Sequence, residues 1–378
     1  MKYYLRPSTR LFFCLVIIPA FLILSSGGAK AAGGTLHIFM SELAIEKVRD
    51  PDLARLLENK RDVVLWASWY PDSGYAGDNQ YGEYSHWTEF LDGYADYIKK
   101  ETPPGHAEFE FLAAHLLGAS AHSMQDQVFD KLFLEKTMEV DGTGQETLDR
   151  GLDMVCMHDY QRHKLALPAK VLVKKTRYTP VRHLGRVYRR LGKKYDHIRG
   201  QISRGQRLLA LALTGEKLIH GIEHNSVRRL SPWATQNYYS APGGIEHNAE
   251  ITAAYWEALW NKLHGGMRDF VIATFPRDGE HVLSTDHNSV DSNVFVFLNR
   301  RYDGETITGD TVYIEDENGV RVEGSFGWCY GHNMLRIMPS ENLSPGKQYT
   351  VTLTTGVADI YGSHMAEDYS FVFTAPQV

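Results

Sequence analysis

Cysteine is scarce in this sequence: Cys14, Cys156 and Cys329 are the only three in 378 residues. Three scattered thiols build neither a disulfide framework nor a zinc knuckle of thiolates. Positive charge is also not in excess. Forty Lys and Arg stand against 46 Asp and Glu, a formal charge of −6, so nothing global advertises nucleic acid as a partner. The uncharged run over residues 11–24 falls short of the roughly 18 or more apolar residues expected of a membrane-spanning helix. A hydrophobic fraction of 43% with 23% charged residues excludes wholesale disorder, collagen-like order and a many-span membrane protein. Histidine, with 17 residues, is the more promising source of metal ligands.

The amino terminus reads as an export signal. Lys2, Arg6 and Arg10 precede the short apolar run, and Ala29-Lys30-Ala31 supplies a small-residue cleavage site. Residues 1–31 are therefore expected to be removed, leaving an exported protein at a periplasmic, cell-surface or secreted location. That cut takes away four cations and no anion, so −6 becomes −10. Cys14 leaves with the signal, and Cys156 and Cys329 are expected as free buried thiols in different domains.

Two textures divide the remainder. From residue 36 to about 270 apolar residues recur at helical spacing, as in the stripe Val181, Leu184, Tyr188, Leu191, Tyr195 and Ile198. Beyond Thr274 the chain turns to short β-branched and aromatic runs, such as Val294-Phe295-Val296-Phe297, separated by Asn318-Gly319 and Pro345-Gly346. The expected fold is multidomain: a mostly α-helical catalytic domain over residues 32–273, followed by an all-β sandwich over residues 274–378. Pro276-Arg277-Asp278-Gly279, the Asn342-Leu343-Ser344-Pro345-Gly346 turn and Asp359-Ile360-Tyr361-Gly362 make this second half resemble the bacterial Ig-like module of S-layer and other surface proteins. Such a resemblance implies spacing or cell-surface attachment, without catalysis.

In the helical half, His122, Asp126 and Asp130 follow one another at steps of four, which places an imidazole and two carboxylates on consecutive turns of one helix face. Gly118 and the small residues Ala119, Ser120 and Ala121 would let another backbone approach that helix closely. Further candidates are His37, Asp72 in Tyr70-Pro71-Asp72, His86 in His86-Trp87-Thr88-Glu89-Phe90, and the pair Asp149 and Asp153, again four apart. Taken alone, each histidine reads equally as a core or surface residue.

In this order, the set resembles the zinc-dependent phospholipase C family over residues 36–266, most closely over residues 70–153, with Ser231-Pro232-Trp233-Ala234 and Gly243-Gly244-Ile245-Glu246-His247 as further matching pieces. The resemblance implies a helical domain that holds Zn2+ and cleaves a phosphodiester, with phospholipid or a membrane surface as substrate and no stable nucleic-acid complex. It implies as metal ligands His37, Asp72, His86, the H-x-x-x-D pair His122 and Asp126, and Asp149. Asp130 stands where the family commonly has histidine and is expected as a further metal ligand, whereas Gln145, at a second histidine position, offers an amide that binds zinc poorly. The tryptophan that begins the mature bacterial enzymes is missing here. Asp72 is also the expected catalytic residue, orienting or deprotonating the attacking water. Alternatives are a single-strand nucleic-acid phosphodiesterase on the same metal core, and a surface binding protein without activity. His220-Gly221-Ile222-Glu223-His224 matches the H-x-x-E-H pattern of inverted zinc peptidases, but a peptidase leaves the other candidates unexplained. The basic run over residues 170–207 reads as the solvated face of a helix. The aromatic stretch with Trp66, Trp69, Tyr70, Tyr75, Tyr81, Tyr84 and Trp87 reads either as a lipid-facing rim or as core.

Overall fold

A computed structural model describes residues 33–77, 79–160, 177–266, 270–328 and 333–377. The export segment, Cys14, Cys329 and the first residues of the basic run lie outside these. The helical half is built around α7 (Phe109–Val128), in which every residue from Leu112 to Val128 is buried. A helix buried on all sides belongs at the centre of a bundle, and this one is enclosed by α1 (Gly34–Lys47), α3 (Arg61–Ala67), α6 (Thr88–Glu101) and α13 (Ile245–Leu263). Between them run α2 (Pro51–Asn59), the short α4 (Asp72–Ala76) and α5 (Tyr81–Ser85), α8 (Glu135–Asp141), α9 (Gln145–Asp159), α10 (Val181–Arg190), the long α11 (Ile198–Leu230) and α12 (Pro232–Asn237).

Local chemistry sets several of these ends. Asp50 caps α2 by accepting from the amides of Asp52 and Leu53 at 3.0 and 2.9 Å, with Pro51 at the first helical position. Trp256 of α13 donates to the Leu117 carbonyl at 2.7 Å, and Trp66 of α3 donates to the Thr179 hydroxyl at 3.1 Å, so both indoles are satisfied in the core. Trp66, Trp69, Tyr70 and Tyr81 are fully buried, which makes most of the aromatic stretch core. The stripe from Val181 to Ile198 is divided between two helices. Gly192, at φ 73°, turns the chain after α10, and Ile198 opens α11.

One core residue is chemically exposed to pH. Both ring nitrogens of His115 on α7 are buried and lack a hydrogen-bond partner, with the rings of Tyr70 and Tyr94 at 5.0 and 5.9 Å. Burial pushes its pKa from 6.5 down to about 3. A depressed histidine leaves the unfolded chain binding the extra proton between those values, so stability is lost as pH falls through that window. The slope approaches about 1.4 kcal/mol per pH unit. His115→Leu should remove it. The stability difference between variant and parent, from urea unfolding, is expected to shift in favour of the variant by about 2 kcal/mol between pH 7 and pH 5.

The second half is a sandwich of two four-stranded antiparallel sheets, in the orders β1-β2-β6-β5 and β4-β3-β7-β8. Its strands are β1 (Val271–Phe275), β2 (Val294–Leu298), β3 (Val312–Asp316), β4 (Arg321–Val322), β5 (Gly324–Trp328), β6 (Met334–Pro339), β7 (Gln348–Leu353) and β8 (Tyr369–Thr374). The boundary expected between residues 273 and 274 therefore falls inside β1. Val271 and Ile272 continue an apolar pattern that reads as helical until pairing with β2 is known. Gly319 and Gly346, both at positive φ, make the turns before β4 and β7.

In β2 every residue is buried. Val294, Val296 and Leu298 face the sandwich core, while Phe295 and Phe297 join Val290 and Met334 against Met124, Val128 and Leu132, and against Ile251 and Tyr255 of α13. An antiparallel strand with a wet outer face alternates apolar and polar residues. This one does not, because its outer face lies under the helices. Among the described helices none is long and apolar enough to cross a membrane.

Candidate metal centre

Five of the predicted residues meet here from four separate elements. His37 sits on the second turn of α1, Asp72 opens α4, His86 follows the last residue of α5, and His122 and Asp126 lie one turn apart on α7. His37, His86 and His122 are buried, and Asp72 and Asp126 nearly so. The Nδ1 of each ring is committed away from the centre. It lies 2.8 Å from Gln125 Oε1 for His37, 2.7 Å from the Gly82 carbonyl for His86, and 2.8 Å from the Ser68 carbonyl for His122. Carbonyl oxygens only accept, so Nδ1 of His86 and of His122 carries a proton and donates, and in the neutral form of each ring Nε2 offers its lone pair to the centre.

Those inward atoms converge. His86 Nε2 and His122 Nε2 are 3.0 Å apart, and Asp72 Oδ1 lies 3.4 and 3.5 Å from them. Asp126 presents Oδ2 to His122 at 3.3 Å and Oδ1 to His37 Nε2 at 3.1 Å. Adjacent donors of a tetrahedral zinc site, with bonds of about 2.0–2.1 Å, stand about 3.3 Å apart. Two neutral imidazole lone pairs at 3.0 Å would repel, so this pair calls for a positive charge between the rings, whether a proton or a metal ion. Histidine Nε2 and carboxylate oxygen are the donor set zinc takes, and rings fixed through Nδ1 are what an outer ligand shell provides. The residues therefore fit this ion.

Electrostatics agree with a centre that calls for positive charge. Burial works against charging His37, yet the Asp126 carboxylate, helped by Asp72 and the Gln125 amide, pushes it up to about 9. Burial likewise opposes charge on His86, but Asp72 and Asp126 raise its pKa. At His122 burial wins, with the neighbouring His37 adding to it, and the pKa falls. Burial would raise Asp72, but His122 and His86 hold it well below the usual carboxylate range.

Asp130 and Asp149 form a second group of acids. Asp130 lies in a π-helical turn, Phe129–Leu134, that continues α7, and Asp149 is on α9. Burial, then the negative charge of Asp126, pushes Asp130 up to about 8. Burial, then Asp130 and Asp126, pushes Asp149 up to about 10. One carboxylate oxygen of each is buried without a hydrogen-bond partner. Asp153, by contrast, is structural: its two oxygens accept from the amides of Thr35 and Leu36 at 2.8 and 3.0 Å and so anchor the start of α1. Gln145 stands one turn before Asp149.

The pattern at His220, Glu223 and His224 builds nothing comparable. Both histidines are on α11, Glu223 is exposed, and the His224 ring stacks on His158 at 3.6 Å. Among the described residues the convergent groups of three are His37, Asp72 and His122, and His86, His122 and Asp126. Sequence reasoning missed Gln125. A buried amide between His122 and Asp126 on an apolar helix was its available signal. The carbonyls of Ser68 and Gly82 carry no signal at all, since every residue has one.

Over 314 residues, 76% of this chain, the sequence is 26% identical to mouse (Mus musculus) phosphatidylinositol-glycan-specific phospholipase D. The chain spans 36% of that protein's length. Among solved structures, the N-terminal part of the bacterial S-layer protein SbsC aligns with 86% of this chain and 79% of its own, at 13% identity and a TM-score of 0.24. An E. coli alpha-2-macroglobulin aligns with 23% of this chain and 5% of its own, at 16% identity and a TM-score of 0.21. Superpositions this poor carry no argument about the fold. The sandwich matches a family model: residues 269–375 are a bacterial Ig-like domain.

Proposed function

We propose that this chain is an exported zinc-dependent phosphodiesterase that hydrolyses phospholipid in the manner of a phospholipase C. The observation that carries the reading is the convergence of three Nε2 atoms and the carboxylates of Asp72 and Asp126 in one buried centre. The likeness to a phospholipase D supports phospholipid as the substrate class. His37, Asp72, His86, His122 and Asp126 would hold zinc, with Asp130 and Asp149 extending the set. Bound zinc supplies a Lewis acid that neutralises phosphodiester oxygens and lowers the pKa of water.

The chain's own groups do the rest. Asp72 stays ionised across the working range, so its role is to accept a hydrogen bond from water and aim it, rather than to store a proton. Ser68, Gly82 and Gln125 hold the three rings at fixed angles and prevent each from turning its other nitrogen inward. The location outside the cytoplasm, and attachment to a surface through the Ig-like domain, belong to the same proposal.

Zinc-loaded protein incubated with phosphatidylcholine vesicles should release diacylglycerol and phosphocholine, and a chelator should abolish this. Phosphatidate and choline as products would place the cut on the other ester bond. Cleavage of single-stranded DNA alone would overturn the lipid reading, and zinc binding without either activity would leave a binding protein.

A further inference from the structure

We propose that the Ig-like domain is part of the metal centre's support, with Asn333 as the positioning residue that sets His86 and Asp126 against each other. The inference rests on the zinc reading of the centre, and goes beyond it by giving the sandwich a role other than spacing.

Helix α7 lies between two partners. His122 and Asp126 face the centre, while Met124 and Val128, each two residues from Asp126 and so on the opposite side, pack on Phe295, Phe297 and Met334 of the sandwich. The helix cannot rotate to carry its ligands away without driving those side chains into the sheet. Interiors packed at protein density resist such shifts.

Asn333, at the start of β6, adds direction to that contact. It is 1% exposed. Its own carbonyl accepts from Leu298 of β2 at 2.7 Å, which fixes it to the sheet. Its backbone N–H donates to Gln127 Oε1 at 3.2 Å, beside Asp126, and Gln127 in turn donates to the Ser123 carbonyl at 3.0 Å. Its side-chain Oδ1 accepts from the Thr88 hydroxyl at 2.5 Å, two residues beyond His86. One residue of the sandwich is thus tied to the two helical segments whose ligands must meet. Around this point the domains are joined by Arg336 with Glu135 at 2.6 Å and Lys136 with Asp291 at 2.8 Å, pairs that fasten the domains without touching the segments that carry His86 and Asp126.

The distinction gives the test. Thr88→Val removes the hydroxyl at nearly constant volume, and Thr88→Ser keeps it. Asn333→Leu removes the acceptor from the other side, and Arg336→Met loosens the docking elsewhere. Zinc affinity of the full chain, by competition with a chromophoric chelator, should fall about ten-fold in Thr88→Val and Asn333→Leu, as for other groups that orient ligands. It should fall no further in the double variant, and stay at the parent value in Thr88→Ser and Arg336→Met. The cobalt-substituted protein should show a changed visible spectrum in the first two variants only. If Thr88→Val and Asn333→Leu melt earlier yet bind zinc as the parent does, or if Arg336→Met weakens zinc equally, the positioning role is overturned. A parent protein that binds no zinc would overturn both this role and the metal reading. Should Asn333→Leu fail to fold, the near-isosteric Thr88→Val still decides the matter.

Discussion

Zinc affinity should fall by more than about 100-fold when His122 or Asp126 is replaced by alanine, a larger loss than the 10- to 100-fold typical of groups that only orient ligands. His122 Nε2 stands within 3.5 Å of His86, Asp72 and Asp126, so its removal takes a donor from the middle of the set. Asp126 is shared between His37 on one oxygen and His122 on the other, so its loss affects both sides of the centre. Equilibrium dialysis followed by elemental analysis measures the effect, and parent-like zinc content in either variant would refute the site. The same variants should also lose the thermal stabilisation zinc confers on the parent. A ligand at 1,000 times its dissociation constant adds about 4 kcal/mol to the folded state, so the parent should melt well above its chelated form, and the variants should not.

Gly118 carries the second large effect. A Cβ there would stand 2.3 Å from the Val64 carbonyl oxygen and 2.6 Å from the Ala67 Cβ, both on α3. Replacing glycine by alanine within a helix ordinarily gains up to about 1 kcal/mol. Here the clash is with backbone, which cannot swing aside, and overpacking of a tight core costs about 1–3 kcal/mol or more. The clash should win. Gly118→Ala is expected to destabilise the protein by about 2 kcal/mol in urea unfolding, and Gly118→Val to prevent folding. Zinc binding should suffer as well, because the α3–α7 contact brings the Ser68 carbonyl to His122 Nδ1. An unchanged midpoint for Gly118→Ala would show that the helices can part without loss.

Much of this was legible in residue spacing. Steps of four placed His122 and Asp126 on one face of α7, and the small residues from Gly118 to Ala121 announced a close neighbour. The switch to β-branched and aromatic runs separated the two domains, though β1 starts earlier than that texture suggests. His37, Asp72 and His86 could be linked to the pair only through a family resemblance, because they lie on elements whose meeting depends on the tertiary fold. The split of the Val181 to Ile198 stripe at Gly192 and the π turn that carries Asp130 are backbone events, and periodicity over a window averages them away. The carbonyls that orient His86 and His122 were beyond any reading of side chains.

β2 has a consequence for how such a chain can change over generations. Its phenylalanines are covered from outside the sandwich by Met124 and Val128 of α7, by Leu132, and by Ile251 and Tyr255 of α13. Transplanted into another protein, the sandwich would show a greasy flank to water, and a foreign sandwich with a polar flank would not seat on these helices. The Ig-like domain of this chain is thus no interchangeable bead. It is expected to be inherited together with its helical companion, its outward aromatic positions and their partners varying as matched pairs.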